Sequence, residues 1–255
     1  MNKPRTIAII QARMASSRLP GKVLKDIQGR PMLAWVVDRA SYASSLDGIG
    51  VATTIDSTDD PIAALCREMK YSVYRGSSHD VLDRIYQAAL LHRAEVIVRL
   101  TADCPLIDPV VIDHTVNEFF RTGVDFAANR LPPPWKRTYP NGLDTEVCTL
   151  DALERAWREA DKPHQREHVM PYLYEEEGRF RTFLVNHEPD YGHLRWTVDT
   201  PEDLELIQQV FARFEGRDDF SWEEILELFE REHELAKINA AVHHKTAHDI
   251  DERAT

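Results

Sequence analysis

The chain has 255 residues, with 31 lysines and arginines against 43 aspartates and glutamates, a formal net charge of −12. So acidic a chain is a poor general binder of DNA or RNA, because that affinity rests on neutralising phosphates. No apolar run reaches the ~18 residues of a membrane-crossing helix, and the three cysteines (Cys66, Cys104, Cys148) form neither a disulfide framework nor a zinc spacing.

Residues 6–10 (Thr-Ile-Ala-Ile-Ile) have the composition of a buried strand. The strand starts within a few residues of Met1, which leaves no room for a signal peptide and makes the cytoplasm the expected location. It breaks into Gln11-Ala12-Arg13-Met14-Ala15-Ser16-Ser17-Arg18-Leu19-Pro20-Gly21-Lys22. Arg13, Arg18 and Lys22 are separated by small or turn-forming residues. Small side chains let backbone N–H groups approach an anion, and the cations add charge and donors. Ligands settle at the carboxyl ends of strands in α/β folds, so this loop suits a polyphosphate. It has neither the Walker A spacing nor the Gly-x-Gly-x-x-Gly fingerprint.

Pro31 then suits the first turn of a helix, with Met32, Leu33, Trp35, Val36 and Ala40 at helical spacing. Residues 49–55 read as a strand. Asp56 to Pro61 punctuate it and start a helix with Ile62, Leu65, Cys66 and Met69 on one face. Residues 71–75 form a short strand, and Asp80 opens a helix striped by Leu82, Ile85, Tyr86, Ala89 and Leu90. Residues 95–100 are a further strand. Alternating strands and helices predict an α/β fold, a Rossmann-like, mostly parallel sheet with helices on both faces.

The alternation weakens after Leu100. A loop holds Asp103 and Pro105, residues 110–120 are helical, and residues 124–128 are a strand. Residues 131–135 (Leu-Pro-Pro-Pro-Trp) continue no regular element. Residues 131–190 read as an α+β insertion with strands at 144–150 and 180–185, a helix at 151–159 and a second helix through His168, Met170, Tyr172 and Leu173. Residues 195–199 return the chain to the sheet. Thr200-Pro201-Glu202-Asp203 and Ser221-Trp222-Glu223-Glu224 are capping-box helix starts. The whole is read as a single domain over 1–255 with a helical extension at about 220–255. His243, His244 and His248 in its polar tail bind metal adventitiously or simply belong to a solvated tail.

Asp103 follows the 95–100 strand directly. A carboxylate there suits a cation beside phosphates, though loop aspartates also cap and turn. Asp199 falls between a strand and a helix start, with capping as its other reading.

The loop through Arg13, Arg18, Pro20, Gly21 and Lys22 resembles the signature of the sugar-acid cytidylyltransferases, nearest to the SpsF branch. Residues 75–84 (Arg-Gly-Ser-Ser-His-Asp-Val-Leu-Asp-Arg), 141–147 and 166–172 resemble SpsF-type runs too, and the likeness covers residues 5 to 210. It implies the nucleotide-diphospho-sugar transferase type of sheet and transfer of CMP from CTP to a sugar acid, with release of pyrophosphate, in polysaccharide or glycoconjugate synthesis. It places Arg13, Lys22, Asp103 and Asp199 at the chemistry, with Asp103 and Asp199 holding Mg²⁺. Nucleotide contacts are expected from Gln11, Ala12, Arg13, Arg18, Lys22, Arg75, Ser77, Asp83, Arg84 and Asp103; Asp83 and Arg84 also fit an exposed helix-face pair. Acceptor candidates are Asn129, Asp144, Glu146, Arg166, Glu167 and His168, the last a possible general base. A salt-bridged structural network is the competing reading of that group. The resemblance also implies a homodimer built on the 131–190 segment. Related sialate-activating enzymes carry an Asp where Thr197 stands, which argues against a sialate acceptor. Two other functions fit parts of the pattern: a GT-A type glycosyltransferase, which needs fewer cations than the Arg13 to Lys22 loop offers, and a regulatory nucleotide-binding module.

Overall fold

The computed structural model describes residues 3–132 and 136–242. The first half alternates as its pattern predicts: β1 (Thr6–Gln11), a small ribbon of β2 (Asp26–Ile27) and β3 (Arg30–Pro31), α1 (Met32–Ser41), β4 (Gly48–Thr54), α2 (Asp60–Met69), β5 (Ser72–Gly76), α3 (Val81–Leu91), β6 (Val96–Thr101) and α4 (Pro109–Thr122). The second half adds β7 (Phe126–Ala128), β8 (Glu146–Thr149), α5 (Leu150–Glu159), α6 (Pro163–His168), α7 (Pro171–Tyr174), β9 (Thr182–Leu184), α8 (Pro201–Arg213), α9 (Trp222–Arg231) and α10 (Leu235–Ile238).

Seven strands form one sheet in the order β5-β4-β1-β6-β8-β7-β9. β5, β4, β1 and β6 run parallel, β8 is antiparallel to both β6 and β7, and β9 is parallel to β7. The mostly parallel sheet expected from the alternation is present. Successive strand residues face opposite sides, so β1 feeds two cores. Ile7 and Ile9 pack with α3, α5 and α7, while Ala8 and Ile10 pack with α1, α2 and α4. A third core gathers Trp35, Trp196 and Val198 under α8 and α9.

Three details differ from the sequence pattern. The 131–190 segment inserts β8 into the middle of the sheet rather than standing beside it. The helix expected through His168 and Leu173 is two short helices, because Val169 turns to φ 71° and Pro171 has no N–H to continue the first. Residues 195–199 form no strand; they are held by an isolated bridge between Asn141 and Arg195 and by backbone bonds such as Val198 N–H to the Asp103 carbonyl. Gly142 makes that approach possible: its φ is +117°, and a Cβ there would lie 2.6 Å from the Trp196 carbonyl carbon. Both capping boxes form, at Thr200 with Asp203 and at Ser221 with Glu224. The helical extension is α9 and α10, and the tail histidines lie outside the described residues. No helix among the described residues is long and apolar enough to cross a membrane.

Candidate active site

The loop after β1 is held in shape by backbone and side-chain bonds. Gly21, at φ 66°, donates its N–H to the Met14 carbonyl at 3.0 Å. The Met14 N–H in turn donates to Asp59 Oδ1 at 2.7 Å. Asp59 is almost wholly buried, and its other oxygen accepts from Thr54 Oγ1 at 2.5 Å and Thr53 Oγ1 at 3.2 Å. The sequence shows Asp59 only as helix-start punctuation; its role in fixing the loop comes from the fold.

The loop delivers Lys22 to two distant carboxylates. Lys22 Nζ donates to Asp103 Oδ2 at 2.7 Å, to Asp199 Oδ1 at 2.8 Å and to the Val198 carbonyl at 2.8 Å. Asp103 follows β6, and its carbonyl accepts the Val198 N–H at 2.8 Å, which locks the two acid-bearing loops together. Burial works against the Lys22 ammonium, but Asp103 and Asp199 outweigh it and raise its pKa. For Asp199 burial works the other way, yet Lys22, Arg195 and Arg18 hold the carboxyl well below the usual carboxylate range. Arg18 lies 3.1 Å from Asp199 Oδ2 and Arg195 lies 2.8 Å from it.

Asp103, Asp199, Arg18 and Arg195, but not Lys22, which bonds to both carboxylates from outside the lining, form one end of a cavity of about 200 Å³. Its other end is walled by Arg99, Arg130, Asp144 and Glu146. Arg99 pairs with Glu146 and donates to Gln11 Oε1 at 2.9 Å. Asp144 accepts from Arg130 Nε at 3.1 Å and from both terminal nitrogens of Arg137. Cys104 also lines the cavity, with a thiol whose pKa burial pushes far up. Arg99, Arg130 and Arg195 went unremarked as site residues in the sequence, since each reads as an ordinary strand or loop arginine. A larger cavity of about 380 Å³ opens at the amino ends of β4 and β5 and holds none of the expected site residues.

The remaining expected residues separate by position. Arg13 reaches toward Glu167, 3.9 Å away. Arg84 is fully buried, donates Nη1 to the Ser77 carbonyl at 2.5 Å, and leaves Nε and Nη2 without a hydrogen-bond partner among the described residues. Burial, with Arg13 and Arg99 nearby, lowers its pKa to about 10. Arg84 is thus no exposed helix-face residue. Asp83 accepts from Trp157 Nε1 at 2.9 Å, and Ser77 Oγ accepts from the Asp80 N–H at 3.0 Å. Arg75 clamps the β4 end, donating to the carbonyls of Thr54 at 2.8 Å and Asp56 at 2.9 Å. Ala12 is buried and bonds to Ala52 across the sheet. Asn129 is buried and spent on the Leu143 carbonyl and Thr145 N–H. Arg166 pairs with Asp80 and the Trp157 carbonyl, outside the cavity. His168 is exposed and lies outside the cavity lining.

The fit to a divalent cation follows from the donor set. Two carboxylates already converge on one cation, the Lys22 ammonium. No group of three or more histidines, cysteines or acids is placed for a metal among the described residues. Mg²⁺ suits such a pair, because it binds through one or two carboxylates with phosphate oxygens and water completing its shell.

The family model described as cytidylyltransferase matches residues 7–243. The spore coat polysaccharide biosynthesis protein SpsF of Bacillus subtilis is 34% identical over 238 residues, covering 89% of this chain and 95% of that protein. A 3-deoxy-manno-octulosonate cytidylyltransferase of Anaeromyxobacter dehalogenans is 40% identical over 80% of this chain and 96% of its own length. A solved cytidylyltransferase structure from Leptospira borgpetersenii superposes with a TM-score of 0.87 at 31% identity, covering 95% of this chain and all of that one. With the carboxylates, the cationic loop and the sheet that carries them, these matches make the chain a member of the cytidylyltransferase family, a nucleotidyltransferase.

Proposed function

We propose that the enzyme transfers CMP from CTP to a hydroxyl of a sugar acid or similar small acidic acceptor, for surface polysaccharide or glycoconjugate synthesis. The observation that carries this reading is the single ammonium, Lys22, shared by Asp103 and Asp199 beside a loop with two further cations. The relatives' names, one a polysaccharide biosynthesis protein and one a cytidylyltransferase of an acidic sugar, support the acceptor class.

The acceptor oxygen forms a bond to the α-phosphorus while the bond from that phosphorus to the bridging oxygen breaks. Pyrophosphate leaves with the bonding pair, and the hydroxyl proton passes to solvent. Such transfer needs positioning and neutralised charge, with no covalent enzyme intermediate. Lys22, Arg13 and Arg18 take the phosphates, each as a cation at neutral pH. Mg²⁺ held by Asp103, Asp199 and phosphate oxygens would neutralise charge on the phosphates and on departing pyrophosphate. The proposal includes a homodimer with the 131–190 segment at its interface; a monomer in light scattering at micromolar concentration overturns that part.

The test is pyrophosphate release with each nucleoside triphosphate against a panel of acidic sugars and phosphonates. Release is expected with CTP and Mg²⁺ plus an acidic acceptor. Sugar transfer from a nucleotide sugar, with no pyrophosphate released from any triphosphate, overturns the reading in favour of a glycosyltransferase.

A further inference from the structure

Behind Asp199 lies a buried cluster that extends the Thr200–Asp203 capping box to Arg195 and to the C-terminal extension. Arg195 Nη2 stands 2.8 Å from Asp199 Oδ2 and 2.8 Å from Asp203 Oδ2, so one nitrogen joins the two carboxylates. Asp203 Oδ2 also accepts the N–H groups of Asp199 at 2.9 Å and Thr200 at 3.1 Å. Its Oδ1 accepts Arg195 Nε at 2.8 Å. The last member comes from the C-terminal extension. Asn239 Nδ2 donates to Asp203 Oδ1 at 2.9 Å and to the Arg195 carbonyl at 3.0 Å. Asp203 is fully buried and Asn239 is 6% exposed. Asn239 sits one residue past α10, which Leu235 anchors in the third core.

A buried carboxylate that receives five hydrogen bonds has little freedom, and neither does the guanidinium it holds. Asn239 spends one N–H on the acid and the other on the backbone of the arginine, closing the Arg195–Asp203 pair from the rear. The pair in turn fixes both the backbone and the Oδ2 of Asp199. We propose that Asn239 is a positioning residue for the metal-nucleotide end of the site: the C-terminal extension sets the Asp199 carboxylate for its cation, through Arg195 and Asp203. This rests on the reading of Asp199 as a Mg²⁺ ligand.

The experiment measures CTP binding by titration calorimetry over a series of Mg²⁺ concentrations, with no acceptor present. Outer partners of a metal ligand typically change affinity by ~10- to 100-fold. Asn239→Leu is expected to raise the Mg²⁺ concentration for half-maximal enhancement of CTP binding about 10-fold, and Asn239→Asp further, because it sets a second carboxylate against Asp203. Lys237→Ala, an exposed residue of α10 paired with Glu234, leaves it unchanged. Asn239→Ser keeps the measurement readable if leucine is not accommodated. A merely structural role lowers the thermal midpoint equally with and without Mg²⁺ and leaves the half-saturation at the wild-type value; that result overturns the inference. If the wild type shows no Mg²⁺ dependence, or Asp199→Ala keeps it, the metal reading itself fails instead.

Discussion

The two ends of the central cavity are built from the same residue types with opposite bookkeeping of charge. At the Lys22 end one ammonium serves two carboxylates, and Arg18 and Arg195 lean on the same Asp199. At the far end each acid has its own arginines: Glu146 with Arg99, and Asp144 with Arg130 and Arg137. The first arrangement shares charge across three segments far apart in sequence, so an arriving polyphosphate and its cation can redistribute it. The second pairs each acid with arginines of its own, so less of its charge is left to redistribute. On the proposed function, the Lys22 end is the reacting end and the arginine-paired end shapes the acceptor site.

The sharpest way to break that contrast is to remove one cation from each end. Lys22→Ala, and likewise Asp103→Ala, should lose at least ~100-fold in turnover, the scale of one preorganised electrostatic contact. Arg137→Ala should keep turnover within a few-fold and lower the thermal midpoint instead. Steady-state kinetics and thermal unfolding on the same preparations separate the outcomes. Near-normal turnover in both Lys22→Ala and Asp103→Ala removes the Lys22 end from the chemistry.

A smaller effect is expected at Asp144, and it carries a pH signature. Burial alone would raise its carboxyl, but Arg137 and Arg130 outweigh burial and hold it well below the usual range. A depressed folded value means stability that is fully present above the unfolded carboxylate value near 4 and lost as pH falls through the folded one. Asp144→Asn should cost about 2–3 kcal/mol at neutral pH, because two arginines keep no partner acid there. The difference from wild type should shrink on acidification below about pH 4. Urea unfolding at pH 7 and pH 3 reads it, and a constant difference contradicts the ion-pair account.

How much of this was legible in the sequence follows from how local each signal is. β1, the loop to Lys22, and the strand–helix alternation to Thr101 are encoded by neighbours along the chain, and the fold reproduces them. The convergence of Lys22, Asp103 and Asp199 was reached through a family likeness laid on strand ends, not through spacing. β8 was not legible as a central strand, because its partners β6 and β7 are chosen by tertiary pairing. Arg99 sits in a strand whose alternation shows which face it points to but not that this face opens into a cavity. Arg195, Asp203 and Asn239 assemble across 44 residues, and nothing periodic marks them. Arg75 and Asn129 look chemical in their motifs, yet the fold spends Asn129 on backbone groups and Arg75 on two carbonyls and Asp60.

The smallest predicted effect concerns the loop's anchor, and it tests whether the reacting end is set by backbone as well as by charge. Asp59 Oδ1 holds the Met14 N–H, and Met14 in turn closes the loop through Gly21. Asp59→Asn keeps the shape and offers one oxygen in place of two; the threonine hydroxyls can turn to accept from the new amide, but the Met14 and Thr54 N–H groups can only donate, so one of them loses its acceptor. The loop then samples more than one path, and the ordering that the anchor had supplied falls to the nucleotide. CTP should bind about 5- to 10-fold more weakly with turnover at saturation nearly intact, since Lys22 and both carboxylates are still there to be gathered. The signature is a rise in KM for CTP without a matching fall in kcat. A fall in kcat alone would mean that Asp59 acts on the reacting groups, and that backbone and charge at this end are not separable.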